Sequence, residues 1–410
     1  MTPRAPLALY LHVPFCLSLC PYCDFVVYSG RAVRGPQSRV EPFVAALAAE
    51  LRLRAALLEA TFGPPGTSRR PPLTSVYIGG GTPSLLAPAA VAALLELIEA
   101  RFGLARDAEV TLEANPGADD LGDLAGFRAA GVVRLSLGAQ SLVPAELRRL
   151  GRRHTPADVV AAATAARAAG LASLSLDLLY DLPGQTVASW ATTVEQALDL
   201  APDHLSAYAL TLDDPDAEGL TGVGGDHLPV RPGARRWREV AGRAQDPDRA
   251  ADMYALLDER LAMAGLTWYE ISNWARPGQQ SRHNLAYWRR LAYEAVGPGA
   301  HAFDGARTRR WNAARLDGYL AALVPGHGRA PRLPPGGAEV LDDDVVLSEQ
   351  AVLGLRLAAG LDPLLAAAGP VAPALAWGRA HGLIEGRADG RAMLSLRGRL
   401  LSNEVFARLV

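Results

Sequence analysis

The chain has 410 residues, half of them apolar and a fifth charged, enough for two domains or for one large α/β body with an appendage. With 41 basic against 43 acidic residues and a formal charge of −2, a strong generic pull toward nucleic acid or anionic lipid is excluded, although a local basic patch is not. Every one of the 41 bases is arginine, which excludes a Schiff-base lysine and the lysine of a Walker-type phosphate loop.

The N-terminal stretch MTPRAPLALYLHVPFC has one arginine and a short apolar run that soon meets Pro14. It makes a poor signal peptide. No run of 18 uncharged apolar residues follows anywhere, so no membrane-spanning helix is expected. The expected location is the cytoplasm, at most peripheral to the inner membrane face. A strand is predicted over 7–13, and the only three cysteines, Cys16, Cys20 and Cys23, come directly after it. Three thiols spaced C-x3-C-x2-C are no disulfide framework. Two readings stand at this point. Zinc could be held by the cysteines and His12, or a [4Fe–4S] cluster could leave one iron free for a chelating substrate such as S-adenosylmethionine.

Further strands are predicted over 75–78, 109–113, 133–137, 173–179 and 204–210, separated by amphipathic helices at about 40–61, 87–101, 119–130, 156–169 and 187–199. This rhythm predicts repeated βα units and a partial, right-handed (β/α)6 barrel, open on one side. Unusual residues fall at the carboxyl ends of these strands, where such barrels do their chemistry. After the cysteines come Gly79-Gly80-Gly81-Thr82, then Glu113, Gln140 and Asp177. Each alone could be a turn glycine, a solvated acid or a core amide; aligned on one rim they predict a shared site.

Residues 212–250 are rich in Gly, Pro and charge and predict a long loop with little fixed structure. Helical patterning resumes at 249–264, followed by a strand-like WYEISNWA and the dense segment SRHNLAYWRRLAYEAVGPGAHAF. A Pro/Gly-rich linker at about 324–337 precedes a C-terminal piece, read as helix (347–359), helix (371–382), short strands around 383–396 and a last helix. Three parts result: a core over 1–211, an insertion plus barrel-closing segment over 212–323, and a small, mainly helical, winged-helix-like domain over 338–410.

Tyr22 directly before the third cysteine, and the blocks YLHVPFCLSLCPYC, GGGTPS, EANP, RLSLGAQS, LGRRHT, DLLYDLPGQT, HNLAYW and GPGAH, resemble the oxygen-independent coproporphyrinogen III oxidase family of radical S-adenosylmethionine (SAM) proteins, nearly end to end. Within that family the chain is most similar to the heme chaperone branch. The resemblance implies a [4Fe–4S] cluster on Cys16, Cys20 and Cys23. It also implies SAM held by Tyr10, Tyr22, Gly80, Gly81, Thr82, Glu113, Gln140, Arg152 and Asp177, with Thr211 and His301 near further contact positions. The true oxidases carry a fourth cysteine where this chain has Phe25, and they lack the HNxxYW block of 283–288. In the chaperone branch the histidine of that block, here His283, is implicated in holding heme.

The residue chemistry allows this. Imidazole is an ordinary axial ligand, Tyr287 and Trp288 offer flat apolar surface, and Arg282, Arg289 and Arg290 could pair with propionates. It equally allows His283 to be a hydrogen-bonded core residue. The function expected from the resemblance is delivery of heme to respiratory-chain apoproteins, with a homodimer among its states and an electron donor for the cluster. The alternative is radical decarboxylation of coproporphyrinogen III.

Overall fold

The computed structural model describes residues 2–326 and 328–410. Its first half runs β1 (Ala8–Val13), α1 (Val40–Phe62), β2 (Leu73–Gly80), α2 (Pro88–Phe102), β3 (Leu104–Ala114), α3 (Leu124–Ala129), β4 (Arg134–Gln140), α4 (Pro144–Arg149), α5 (Pro156–Ala168), β5 (Ser173–Tyr180), α6 (Val187–Asp199) and β6 (His204–Ala209). All six strands are parallel and paired in sequence order. The partial (β/α)6 barrel expected from the strand rhythm is therefore present.

The registers explain both faces of the barrel. Leu11, Ile78, Leu112, Leu135 and Leu174 lie level across five strands and belong to the buried apolar cluster that the helices cover. One step along each strand, the level row is Tyr10, Tyr77, Thr111, Arg134 and Ser173. A second polar row joins Glu113, Ser136, Ser175 and His204. Side chains alternate between faces along a strand, so this barrel has a polar interior where closed barrels usually pack bulky aliphatics. That inversion makes room for a polar ligand. The helices are secured locally: α5 and α6 each begin with a capping box, Thr155 with Asp158 and Thr186 with Ser189.

The second half extends the sheet on both edges. After α7 (Pro232–Gly242) and α8 (Pro247–Met263), the hairpin of β7 (Thr267–Glu270) and β8 (Asn273–Ala275) adds antiparallel to β6. Past the short helix α9 (Arg282–Trp288), β9 (Tyr293–Val296) joins β1 in parallel, and β10 (His301–Phe303), β11 (Thr308–Asn312) and β12 (Gly336–Val340) follow antiparallel. Two expectations are corrected here. The stretch 212–250 is not structureless, since it contains α7, which starts on Pro232 and buries Ala234, Arg238 and Ala241 along one face. The boundary expected at 338 falls inside β12, a strand of the main sheet.

The C-terminal piece therefore begins with the helix Asp343–Arg356 and continues through Val371–Ala380, the ribbon Ile384–Gly386/Ala392–Leu394 and two short helices. It has its own apolar cluster around Leu355, Leu375, Leu394 and Val405. Arg399 docks it, pairing with Asp258 at 2.6 Å and lying over the Trp268 ring. Among the described residues no helix is long and apolar enough to cross a membrane.

A buried polar knot ties β9–β11 to the core. Glu50 of α1 accepts from Arg54 at 3.2 Å, Asn312 at 2.8 Å, the Gly297 N–H at 3.0 Å and the Tyr319 hydroxyl at 2.7 Å. Glu50→Ala leaves the mostly buried Arg54 without its carboxylate and is expected to cost about 3–5 kcal/mol. A denaturant midpoint unchanged from the parent protein would contradict this.

Candidate functional site

A cavity of about 410 Å³ opens at the carboxyl ends of the six parallel strands. Cys16, Cys20, Cys23, Tyr22, Gly80, Gly81, Glu113, Gln140, Arg152 and Asp177 all line it. The rim alignment expected from the sequence thus becomes one site, with Thr211 at its edge.

The cysteine loop returns on itself through backbone bonds from Cys16 N to Tyr28 O (3.0 Å) and from Cys23 N to Cys20 O (3.3 Å). All three thiols are free. Burial pushes the Cys16 thiol up to about 11 and the Cys23 thiol up to about 12, so at neutral pH they keep their protons until a metal displaces them. The Thr82 hydroxyl donates to Cys16 Sγ at 3.4 Å, and Arg152 points a guanidinium N–H at Cys20 Sγ at 3.7 Å. The glycines are needed for this approach. A Cβ on Gly81 would stand 2.6 Å from the Phe15 carbonyl oxygen, and Gly80 has φ +113° with the His12 ring where its Cβ would point.

Zinc on the cysteines plus His12 does not fit. His12 Nδ1 meets the Tyr10 hydroxyl at 2.9 Å and Nε2 meets the Val26 carbonyl at 2.8 Å, so both ring nitrogens are taken. Among the described residues no three His, Cys, Asp or Glu side chains are grouped to hold a metal ion. A cluster needs no such convergence, because each thiolate binds a different iron.

Across the cavity Glu113 accepts from the Tyr77 hydroxyl at 2.8 Å and from the Gly80 N–H at 2.9 Å. Burial, and then the nearby Asp177, raise its carboxyl to about 7. Asp177 is also raised by burial, while Ser136 donates to it at 3.0 Å. Two buried acids facing one cavity form a receptor for positive charge. Opposite them Arg152 donates to the Gly138 carbonyl at 2.8 Å and to Asn115 at 2.5 Å, and its Nε is buried without a partner. Gln140 ends β4 at φ +65°, a strained value for a side-chain-bearing residue.

Residues 10–197 match the model of the radical SAM superfamily. Over 408 residues, the whole chain and 96% of the relative, it is 40% identical to a protein of Mycobacterium tuberculosis (strain H37Rv) named Heme chaperone HemW. The chain belongs to the HemW family of radical SAM proteins. It is also 37% identical to the protein of that name in Escherichia coli, over 73% of this chain and 71% of the relative. Its fold matches the coproporphyrinogen III oxidase HemN of Escherichia coli with a TM-score of 0.77, at 23% identity over 100% of this chain and 91% of that one. Family membership implies a [4Fe–4S] cluster and SAM, and the three free thiols beside a glycine cradle fit them. When bound, the two supply an adenosyl radical by reductive cleavage of the sulfonium bond.

Four expected residues lie elsewhere. Tyr10 and His301 face a second cleft, and Thr82 is fully buried behind Cys16. His283 is 1% exposed, with Nδ1 3.1 Å from Ser75 Oγ and Nε2 2.7 Å from the Tyr287 hydroxyl; burial lowers it to about 3. It is a hydrogen-bonded core residue, while its neighbours Ser281 and Asn284 line the main cavity. The arginines expected at propionates are mostly spoken for: Arg282 pairs with Asp107 and Arg290 with Glu349. Trp288 sits under Arg356.

Three further residues around the site were not singled out by spacing. Asn115, in EANP, bridges Arg152 and Thr82. Arg134 lines the cavity and donates to Ser173 Oγ at 3.0 Å; its signal was a charge in an otherwise apolar strand. Arg238, in the segment expected to be a loop, donates to the carbonyls of Pro21 (3.1 Å), Tyr22 (3.1 Å) and Cys23 (3.0 Å). Beside it Trp237 packs on Tyr22 with ring centroids 6.4 Å apart.

Proposed function

We propose that this protein is a heme carrier: it binds heme and delivers it to respiratory-chain apoproteins, with an iron–sulfur cluster and SAM as resident groups. The observation that carries the proposal is 40% identity, from end to end, with a protein named Heme chaperone HemW. Phe25 supports it, standing 60% exposed where oxidases of the resembled family have a fourth cysteine.

In this proposal Cys16, Cys20 and Cys23 bind three irons and leave the fourth for SAM. The backbone of Gly80 and Gly81 admits the ligand's amino group, Glu113 and Asp177 face its cationic and hydroxyl groups, and Gln140 and Arg152 close the opposite wall. Tyr22 shields the cluster loop. Tyr10 and Thr82 act at one remove, through His12 and Cys16.

Anaerobic titration of the cluster-loaded protein with hemin tests this. Saturation at one heme per chain, with no catalytic release of CO2 from coproporphyrinogen III, is expected. Absent saturable binding together with sustained CO2 release would establish the oxidase instead.

A further inference from the structure

Segments 148–153 and 231–243 hold nine arginines and a single acid, Glu239, in a chain with 41 bases and 43 acids. The fold places the two segments side by side against the cysteine loop. Trp237 Nε1 of α7 donates to the Arg149 carbonyl at the end of α4 at 3.1 Å, and a Cβ on Gly151 would stand 3.2 Å from Pro21 Cδ. Two of the nine arginines point inward, Arg152 at Cys20 Sγ and Arg238 at the loop carbonyls. The other seven are exposed. We propose, resting on the resident cluster of the reading above, that this face docks a small acidic protein carrying a one-electron donor, which reduces the cluster through the Pro21–Tyr22 segment.

The charge here is largely free. Among the described residues the ion pairs on this face are those of Arg153 with Asp119 (3.3 Å) and of Arg235 with Asp214 and Asp216 (2.7 Å each). That leaves Arg148, Arg149, Arg231, Arg236 and Arg243 uncompensated, while the exposed acids of the loop and of these segments are Asp24 and Glu239. Concentrated charge of one sign speeds the encounter with a partner of the other sign by about 10–10³. Electron-transfer complexes bury little area, so charge provides most of their recognition.

The position decides what the partner brings. Pro21 and Tyr22 lie between Cys20 and Cys23 and are partly exposed. The Trp237 ring leans on Tyr22 with centroids 6.4 Å apart, so an aromatic pair leads from the arginine face to the cluster loop. SAM occupies the cavity side of the cluster, which leaves the outer face of the loop for a donor. The carrier gives up one electron, the cluster gains it, and no atom is transferred. Anionic lipid would meet the same arginines, but α7 exposes a single large apolar side chain, Val240, too little to insert into a bilayer.

The test follows bleaching of the oxidised cluster in the anaerobic full-length protein after mixing with reduced flavodoxin, and separately with photoreduced deazariboflavin, a small uncharged reductant. The variants are the double reversal Arg148→Glu/Arg236→Glu and, as a control, Arg379→Glu, an exposed arginine of the C-terminal piece. The flavodoxin rate is expected to fall at least about tenfold in the double variant and to fall with added salt in the parent. Deazariboflavin should reduce parent and double variant alike, and Arg379→Glu should match the parent throughout. A flavodoxin rate unmoved by salt and by the double reversal, an equal loss in Arg379→Glu, or equal slowing with both reductants overturns the docking face and leaves the cluster standing. Capture of the parent by anionic lipid vesicles, lost in the double variant while its flavodoxin rate is unchanged, gives the face to a membrane instead. A parent protein whose cluster deazariboflavin cannot reduce overturns the resident cluster itself.

Discussion

Arg238→Ala is expected to leave the barrel folded and to strip most of the iron from the reconstituted protein. The side chain is 8% exposed, and its guanidinium donates to the consecutive carbonyls of Pro21, Tyr22 and Cys23, with a further bond to Asp213. Among the described residues no other side chain donates to as many carbonyls of the cysteine loop. A hydrogen bond from a charged donor contributes about 1.5–3 kcal/mol, and the buried carbonyls left behind add a penalty. The loss falls on the segment that aims Cys20 and Cys23 rather than on the sheet. Arg238→Lys, one point charge in place of a planar fork, should fall between. Iron and sulfide per chain, with cluster lifetime in air, provide the measure. Parent-like iron content and lifetime in Arg238→Ala would mean that the insertion does not support the cluster.

The second large effect concerns Glu113 and pH. Burial first, and the charge of Asp177 second, raise its carboxyl from 4.5 to about 7. The folded protein without ligand therefore holds a proton there that the unfolded chain has released above about 4.5. On this group's account, stability falls as pH rises toward 7. A cationic ligand beside the carboxylate reverses the sign, because it binds the charged form. SAM affinity is thus expected to rise with pH through about 7 and then level off. Glu113→Gln should flatten that step and weaken binding above it by about 2 kcal/mol, roughly thirtyfold. Calorimetric titration across the step decides the matter. A pH-independent affinity in the parent, or an undiminished step in Glu113→Gln, would remove Glu113 from the SAM site.

The six parallel strands were legible because each alternates an outward aliphatic with an inward polar residue, as in Leu174-Ser175-Leu176-Asp177. The site was legible for the same reason, since chemistry-bearing residues cluster where those strands end. What escaped was set by tertiary contacts. The helix holding Arg238 lies between Pro- and Gly-rich stretches, so local composition suggested a loop, whereas burial of Ala234, Arg238 and Ala241 makes it a helix. The strands from Tyr293 to Val340 are three to five residues long, too short for periodicity to declare them. They exist because β1 offers an open edge and Glu50 anchors the far side. His283 illustrates the limit most sharply. Its motif pointed to a ligand, but only the fold reveals Ser75 and Tyr287 on its two nitrogens.

The carrier claim is tested most directly by transfer. The heme-loaded, cluster-containing protein would be mixed anaerobically with a heme-free respiratory apoprotein, and the heme on each partner followed after separation. The expected result is stoichiometric passage of heme to the acceptor, faster than its release to a protein that merely traps free heme. Equal rates to both, or heme that never leaves the chain, would contradict delivery and leave only a heme-binding protein.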